Sequence, residues 1–193
     1  MVRVPCIGKP FAAFFDRTGP RGDKMETVDS SLIGKPSAFD TIVLGGLAIG
    51  VLDFLDASIF FTQYFGIPLS RVWQAVAAGV LGREAATAGG WNTAALGIFL
   101  HFVVAFCIAT VYFIGTRVTN FFVHYPIISG VAFGVMAHFV MQYVVIPLSA
   151  AGEATPAPFR WPVFVNSVIG HALFVGLPVA LIASWSAKRN RIA

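Results

Sequence analysis

Four apolar stretches, each about as long as a lipid bilayer is thick, constrain this chain more than anything else in it. They run over Thr41–Phe61, Thr93–Gly115, Ile127–Leu148 and Val163–Trp185. A helix needs about 20 apolar residues to cross a hydrocarbon core of roughly 30 Å, so each stretch is long enough to span. Of the 193 residues, 57% are hydrophobic and 11% charged, against roughly 25% charged in a soluble domain. Mean hydropathy is +0.79. These values exclude a disordered chain, a disulfide-stapled secreted scaffold (there are two Cys) and an ordinary soluble enzyme. The expected architecture is an all-α membrane protein, a four-transmembrane-helix bundle in a lipid bilayer.

Charge sets the expected orientation. The net charge is +4, but no Lys/Arg stripe interleaved with aromatic residues accompanies it, so nucleic acid is not an expected partner. Ten Lys and Arg lie on the side that carries both termini and three, Arg71, Arg83 and Arg160, on the other. The positive-inside bias then places both termini in the cytoplasm. Residues 1–38 are charged and hold four prolines without a sustained apolar period, which reads as a disordered cytoplasmic arm. The four-helix domain covers 39–187, and 188–193 form a basic cytoplasmic tail. Met25 offers a second start, and a chain beginning there is expected to insert equally well. Between the first two spans, Leu69, Trp73, Val76 and Val80 recur at helical spacing within Pro68–Gly82. Fifteen residues reach only about 22 Å, too short to cross, so this segment is expected to lie as an amphipathic helix in the outer interface.

Ionisable groups inside the spans are few: Asp53 and Asp56 in the first, His101 in the second, His138 in the third and His171 in the fourth. Such groups are costly toward lipid and by default face the protein interior. Their neighbours agree. Gly130, Gly134, His138 and Gln142 recur every four residues, as do Gly97, His101, Ala105 and Ala109, and Ser167 lies one turn before His171. Small residues let helices approach closely in lipid, so these faces are expected packing seams. Counted from the cytoplasmic ends, Asp53, His101, His138 and His171 all lie about 17 to 21 Å deep. The expectation is one connected polar cluster of Asp53, His101 and His171, with His138 and Gln142 at its margin.

That pattern suits several chemistries. Interhelical hydrogen bonds of this kind can be plain packing glue. A line of Asp and His suits a proton or small-solute path, or an accessory subunit packed against a larger complex. Three imidazoles and a carboxylate suit a metal or haem site, although no HExxH, CxxCH or ligand pair on one helix accompanies them. Ser58, Ser129 and Ser167 are available to a membrane-embedded enzyme, without a GxSxG turn. No cofactor is firmly implied, and a thin bundle of four spans leaves room for a homo-oligomer or a larger membrane complex.

From about Phe39 to Ser186 the chain also resembles a group of small four-span bacterial inner-membrane proteins, loosely YagU-like. The residues that carry the resemblance are Gly50-Val51-Leu52-Asp53, Arg71-Val72-Trp73-Gln74-Ala75 with Gly79-Val80-Leu81-Gly82, and Ala95-Leu96-Gly97-Ile98-Phe99-Leu100-His101-Phe102. Val144-Val145-Ile146-Pro147-Leu148-Ser149 and His171 with Gly176-Leu177-Pro178 complete the set. The resemblance implies a four-helix fold in a bacterial inner membrane, with Asp53, His101 and His171 matching the group's pattern and His138 less typical of it. It implies no reaction.

Overall fold

The computed structural model describes residues 34–152 and 159–192; most of the expected arm, including Met25, lies outside them. Helices make up nearly all of the described chain, and among the described residues there is no strand. Four helices are long and apolar enough to cross a membrane: α1 (Phe39–Tyr64), α4 (Gly90–Val118), α6 (Pro126–Leu148) and α7 (Trp161–Arg191), referred to below as spans one to four. The protein is an integral membrane protein of the four-helix bundle type. Span four is the innermost, with 44% of its most apolar window buried against 22% for each of the others.

Shorter helices link the spans. Leu69–Leu81 forms α2 and Arg83–Ala88 forms α3, separated by Gly82, while Phe121–His124 forms the single turn α5 between spans two and three. Gly66 and Gly82 have φ of 64° and 77°, a left-handed backbone that a Cβ would disfavour and that turns the chain sharply after span one and after α2. At its other end, span four carries Lys188, Arg189 and Arg191 within one continuous helix.

The packing order across the bundle is two, one, four, three. Span one shows the division of faces plainly: Leu47, Val51, Leu55 and Ile59 are exposed every four residues, as a lipid-facing stripe should be, while Ile49 and Gly50 are buried. The seam between spans three and four is made by glycine. A Cβ on Gly134 would strike the carbonyl oxygen of His171, and one on Gly176 would strike that of Gly130. Backbones thus touch directly, the arrangement small residues permit in lipid.

Three spans contain π-helical turns. They occupy Phe39–Leu44 and Phe60–Tyr64 in span one, Met141–Val145 in span three and His171–Gly176 in span four. In spans three and four the cause is visible in the sequence. Pro147 and Pro178 each follow two residues after such a stretch ends, and the residues four before them, Tyr143 and Phe174, lie inside it. A proline brings no N–H to that position and its ring pushes the carbonyl away, so the preceding turn widens.

At the end that carries the termini, the bundle is closed. Ile49, Ala105, Ala109, Tyr112, Phe133, Val175 and Val179 form one buried apolar cluster drawn from all four spans. The Tyr112 hydroxyl bonds Ser129 Oγ at 2.9 Å and the Phe122 carbonyl at 2.9 Å, holding spans two and three together. Nearer the terminus, Asp40 is buried and accepts from Ser186 at 2.7 Å and from Arg189. Ser186 in turn accepts the backbone N–H of Ser37, while Arg117 and Asn190 reach the carbonyls of Pro36 and Lys35. These bonds tie the entry to span one across the ends of spans two and four.

Candidate functional site

The polar groups of the spans gather on the loop side of that apolar cluster, as three hydrogen-bonded groups. The first joins spans one and two. His101 Nε2 lies 3.0 Å from the Gly50 carbonyl, and its Nδ1 lies 4.0 Å from Asp53 Oδ2. A carbonyl only accepts, so Nε2 carries a hydrogen. Imidazole Nδ1 and the carboxylate are then complementary when they hold one proton between them. Trp73 of α2 covers this pair, edge-on to the His101 ring at 5.1 Å and stacked on Phe54 at 4.4 Å. It is 1% exposed. The helix expected at the interface thus leans on span two and inserts one side chain as far as the Asp–His pair. Gly97 makes room, since a Cβ there would strike the Trp73 carbonyl.

The second group joins spans one and four. Asp56 Oδ2 accepts from Asn166 Nδ2 at 3.0 Å. Gly170 allows this approach, because a Cβ there would sit 2.8 Å from Asp56 Oδ2. Asp56 is one helical turn from Asp53 on span one.

The third joins spans three and four through Ser167. Its hydroxyl meets His138 Nδ1 at 2.9 Å, and its carbonyl accepts from His171 Nδ1 at 2.9 Å. The two imidazole rings lie edge to face at 5.3 Å between centroids. His138 is 4% exposed, and its Nε2 is buried without a hydrogen-bond partner among the described residues. Such an unmatched group costs about 1–3 kcal/mol.

Beside this third group lies a cavity of about 520 Å³ between the loop-side ends of spans one, three and four. His138, Gln142 and Ser167 contribute its polar lining together with Arg160. The Arg160 guanidinium lies over the Phe65 ring, 5.4 Å from its centroid. Gln142 is exposed and makes no side-chain hydrogen bond among the described residues.

Known families, curated proteins and solved structures were each compared with the chain, and none matches it. The chemistry therefore rests on the chain's own residues.

Of the residues singled out in the sequence, Asp53 and His101 meet each other, and His138 and His171 meet through Ser167. Asp56 stands between the two pairs, and Asn166, which the sequence reading passed over, holds it. The available signal was an amide in an otherwise apolar stretch, next to Ser167 and five residues before His171. Trp73 and Arg160 were also missed as neighbours of the site, since nothing in a linear sequence brings α2 or the start of span four to these seams. The donor set does not suit a metal: among the described residues no three of His, Cys, Asp and Glu converge, and Nδ1 of both His138 and His171 is already engaged. Ser167 and His138 have the spacing of a nucleophile and its base, but no group among the described residues orients the second imidazole nitrogen, as such a pair requires.

Proposed function

We propose that this protein is a proton path of a bacterial inner membrane, with both termini in the cytoplasm, related to the YagU-like proteins it resembles. The observation that carries the reading is the run of donor–acceptor groups contributed by all four spans: His138, Ser167 and His171, then Asp56 with Asn166, then Asp53 with His101. Each imidazole and carboxylate in it can hold or release a proton, and groups of this kind inside a membrane mark proton relays. The run begins at the cavity and stops where the apolar cluster begins. The run crosses the bundle at about one depth and opens on the loop side at the cavity, so passage to the terminal side requires the apolar end to part.

Flux in reconstituted vesicles tests this. With a pH-sensitive dye inside and a potassium-diffusion potential across the membrane, wild-type protein is expected to carry protons well above protein-free vesicles. Asp53→Asn and His171→Ala are expected to abolish the flux while the protein still inserts. If these groups are packing glue, both variants lower the melting temperature and flux per folded molecule stays unchanged. Reporter fusions after residues 38 and 187 check the orientation, and a periplasmic signal from either reverses it.

A further inference from the structure

We propose that the cavity between spans one, three and four binds an amphipathic anion, a single negative group on an aromatic or aliphatic body. The inference stands on the cavity alone and survives if vesicles show no proton flux. At about 520 Å³ the cavity falls in the size range of small-molecule sites, roughly 300–1,000 Å³. Its composition also follows that pattern: an apolar wall with a few convergent polar groups. Rings of Phe61, Phe65, Tyr143, Phe159 and Phe164 form much of the wall, a surface that fits a flat or chain-like apolar body and gives little to a strongly hydrated solute.

The polar groups define the charge of the occupant. Arg160, itself exposed, lies over the Phe65 ring, one wall of the cavity. A guanidinium held on an aromatic face presents its N–H fork to a carboxylate or phosphate, which it binds as a charge-assisted pair. Among the described residues no acidic side chain lines the cavity, and Arg160 is the one fixed charge there. His138, Gln142 and Ser167 supply both donors and acceptors, and His138 is nine-tenths buried with one nitrogen unmatched. A hydroxyl or second anionic oxygen on the occupant would find a partner in the amide of Gln142, which makes no side-chain hydrogen bond among the described residues. A cation would face Arg160, and a purely apolar molecule would leave Arg160 and His138 as they are. The same chemistry describes a free organic acid and an anionic lipid whose acyl chain enters the cavity.

Calorimetric titration separates these. The full chain is placed in nanodiscs of phosphatidylcholine, and 2-naphthoate is the probe, with protein-free nanodiscs as the blank. Saturable binding of one naphthoate per chain is expected. The neutral analogue 2-naphthamide should bind at least tenfold more weakly. Arg160→Gln should weaken naphthoate by a similar factor, and Val163→Trp, which places a ring in the cavity, should remove binding. Both variants are checked for an unchanged gel-filtration profile, so that loss of fold is not read as loss of affinity. Nanodiscs containing phosphatidylglycerol assign the source: competition with naphthoate marks an anionic lipid, and its absence marks a free acid. Equal binding of naphthoate and naphthamide, no saturable binding of either, or insensitivity to both substitutions overturns the proposal.

Discussion

At the end of the bundle that carries the termini, side chains from all four spans close on one another; at the loop end, a cavity opens between spans one, three and four. The closed end is made of alanine, valine, glycine and aromatic rings, with its few polar groups fully partnered: Tyr112 on Ser129, Asp40 on Ser186 and Arg189. The loop end holds the opposite selection. His138 Nε2, Trp73 Nε1 and Gln74 Oε1 are buried there without partners among the described residues, and two proline-linked π stretches interrupt the regular helix. Satisfied contacts stabilise, and unmatched polar groups are tolerated where they serve chemistry. The difference sets a closed, fully partnered end against an end with unmatched polar groups and open space.

The sharpest way to break that contrast is at the glycine seam. Gly176→Leu places a side chain on the Gly130 carbonyl. A backbone neighbour cannot rotate aside, so the cost should reach or exceed the roughly 1–3 kcal/mol typical of overpacking. Most of the protein is expected to leave the monodisperse gel-filtration peak. Gln142→Leu exchanges a polar side chain for an apolar one of similar size at the exposed loop end and should leave the peak intact, and equal tolerance of the two would dissolve the distinction.

A smaller effect is expected at the bond that ties the termini. Arg189→Gln leaves Asp40 buried with Ser186 alone, and because Arg189 is half exposed we expect about 2 kcal/mol, not the larger loss of a fully buried pair. Thermal unfolding in detergent reads this directly. A melting temperature unchanged within error would remove Asp40 from the account of the closed end.

Tyr112→Phe should cost about 1 kcal/mol, the net worth of one hydrogen bond, while its ring continues to pack on Phe122 and Phe133. Since Ser129 Oγ also reaches the Phe122 carbonyl at 3.3 Å, its hydroxyl keeps a partner in this variant. A loss of several kcal/mol would mean that spans two and three depend on this bond more than the apolar cluster suggests.

The smallest effect belongs to the cavity. Gln142→Ala is expected to change stability by no more than about 0.5 kcal/mol, as for other exposed positions. Greater destabilisation would show that the cavity wall bears load after all.

How much of this was legible beforehand differs from residue to residue. The spans were plain, and so was the inward placement expected for Gly130 and Gly134, because spacing by four marks one face of a helix. Pro147 and Pro178 are plain in the sequence, and the structure sets a π stretch before each of them. The cluster was legible only as a depth: Asp53, His101, His138 and His171 share a level, but the sequence offered no reason to pair Asp53 with His101 or to insert Ser167 between two histidines. Asn166 was visible as an amide in an apolar stretch and Arg160 as a charge, but not which seam either would join.

What the sequence determined by itself is therefore the number of spans, their approximate places and the face each turns inward; the helices run on past most of the expected ends, span four to Arg191. Hydropathy and helical period are sums over neighbouring residues, so they need no knowledge of the other helices. What only the tertiary structure decided is which polar groups meet and where empty space remains. Those depend on how each helix is rotated and crossed against the next, and in this chain that is set by backbone contact at glycines and by the widened turns before two prolines. A few degrees at such a seam decides whether a carboxylate one turn along faces imidazole, amide or lipid.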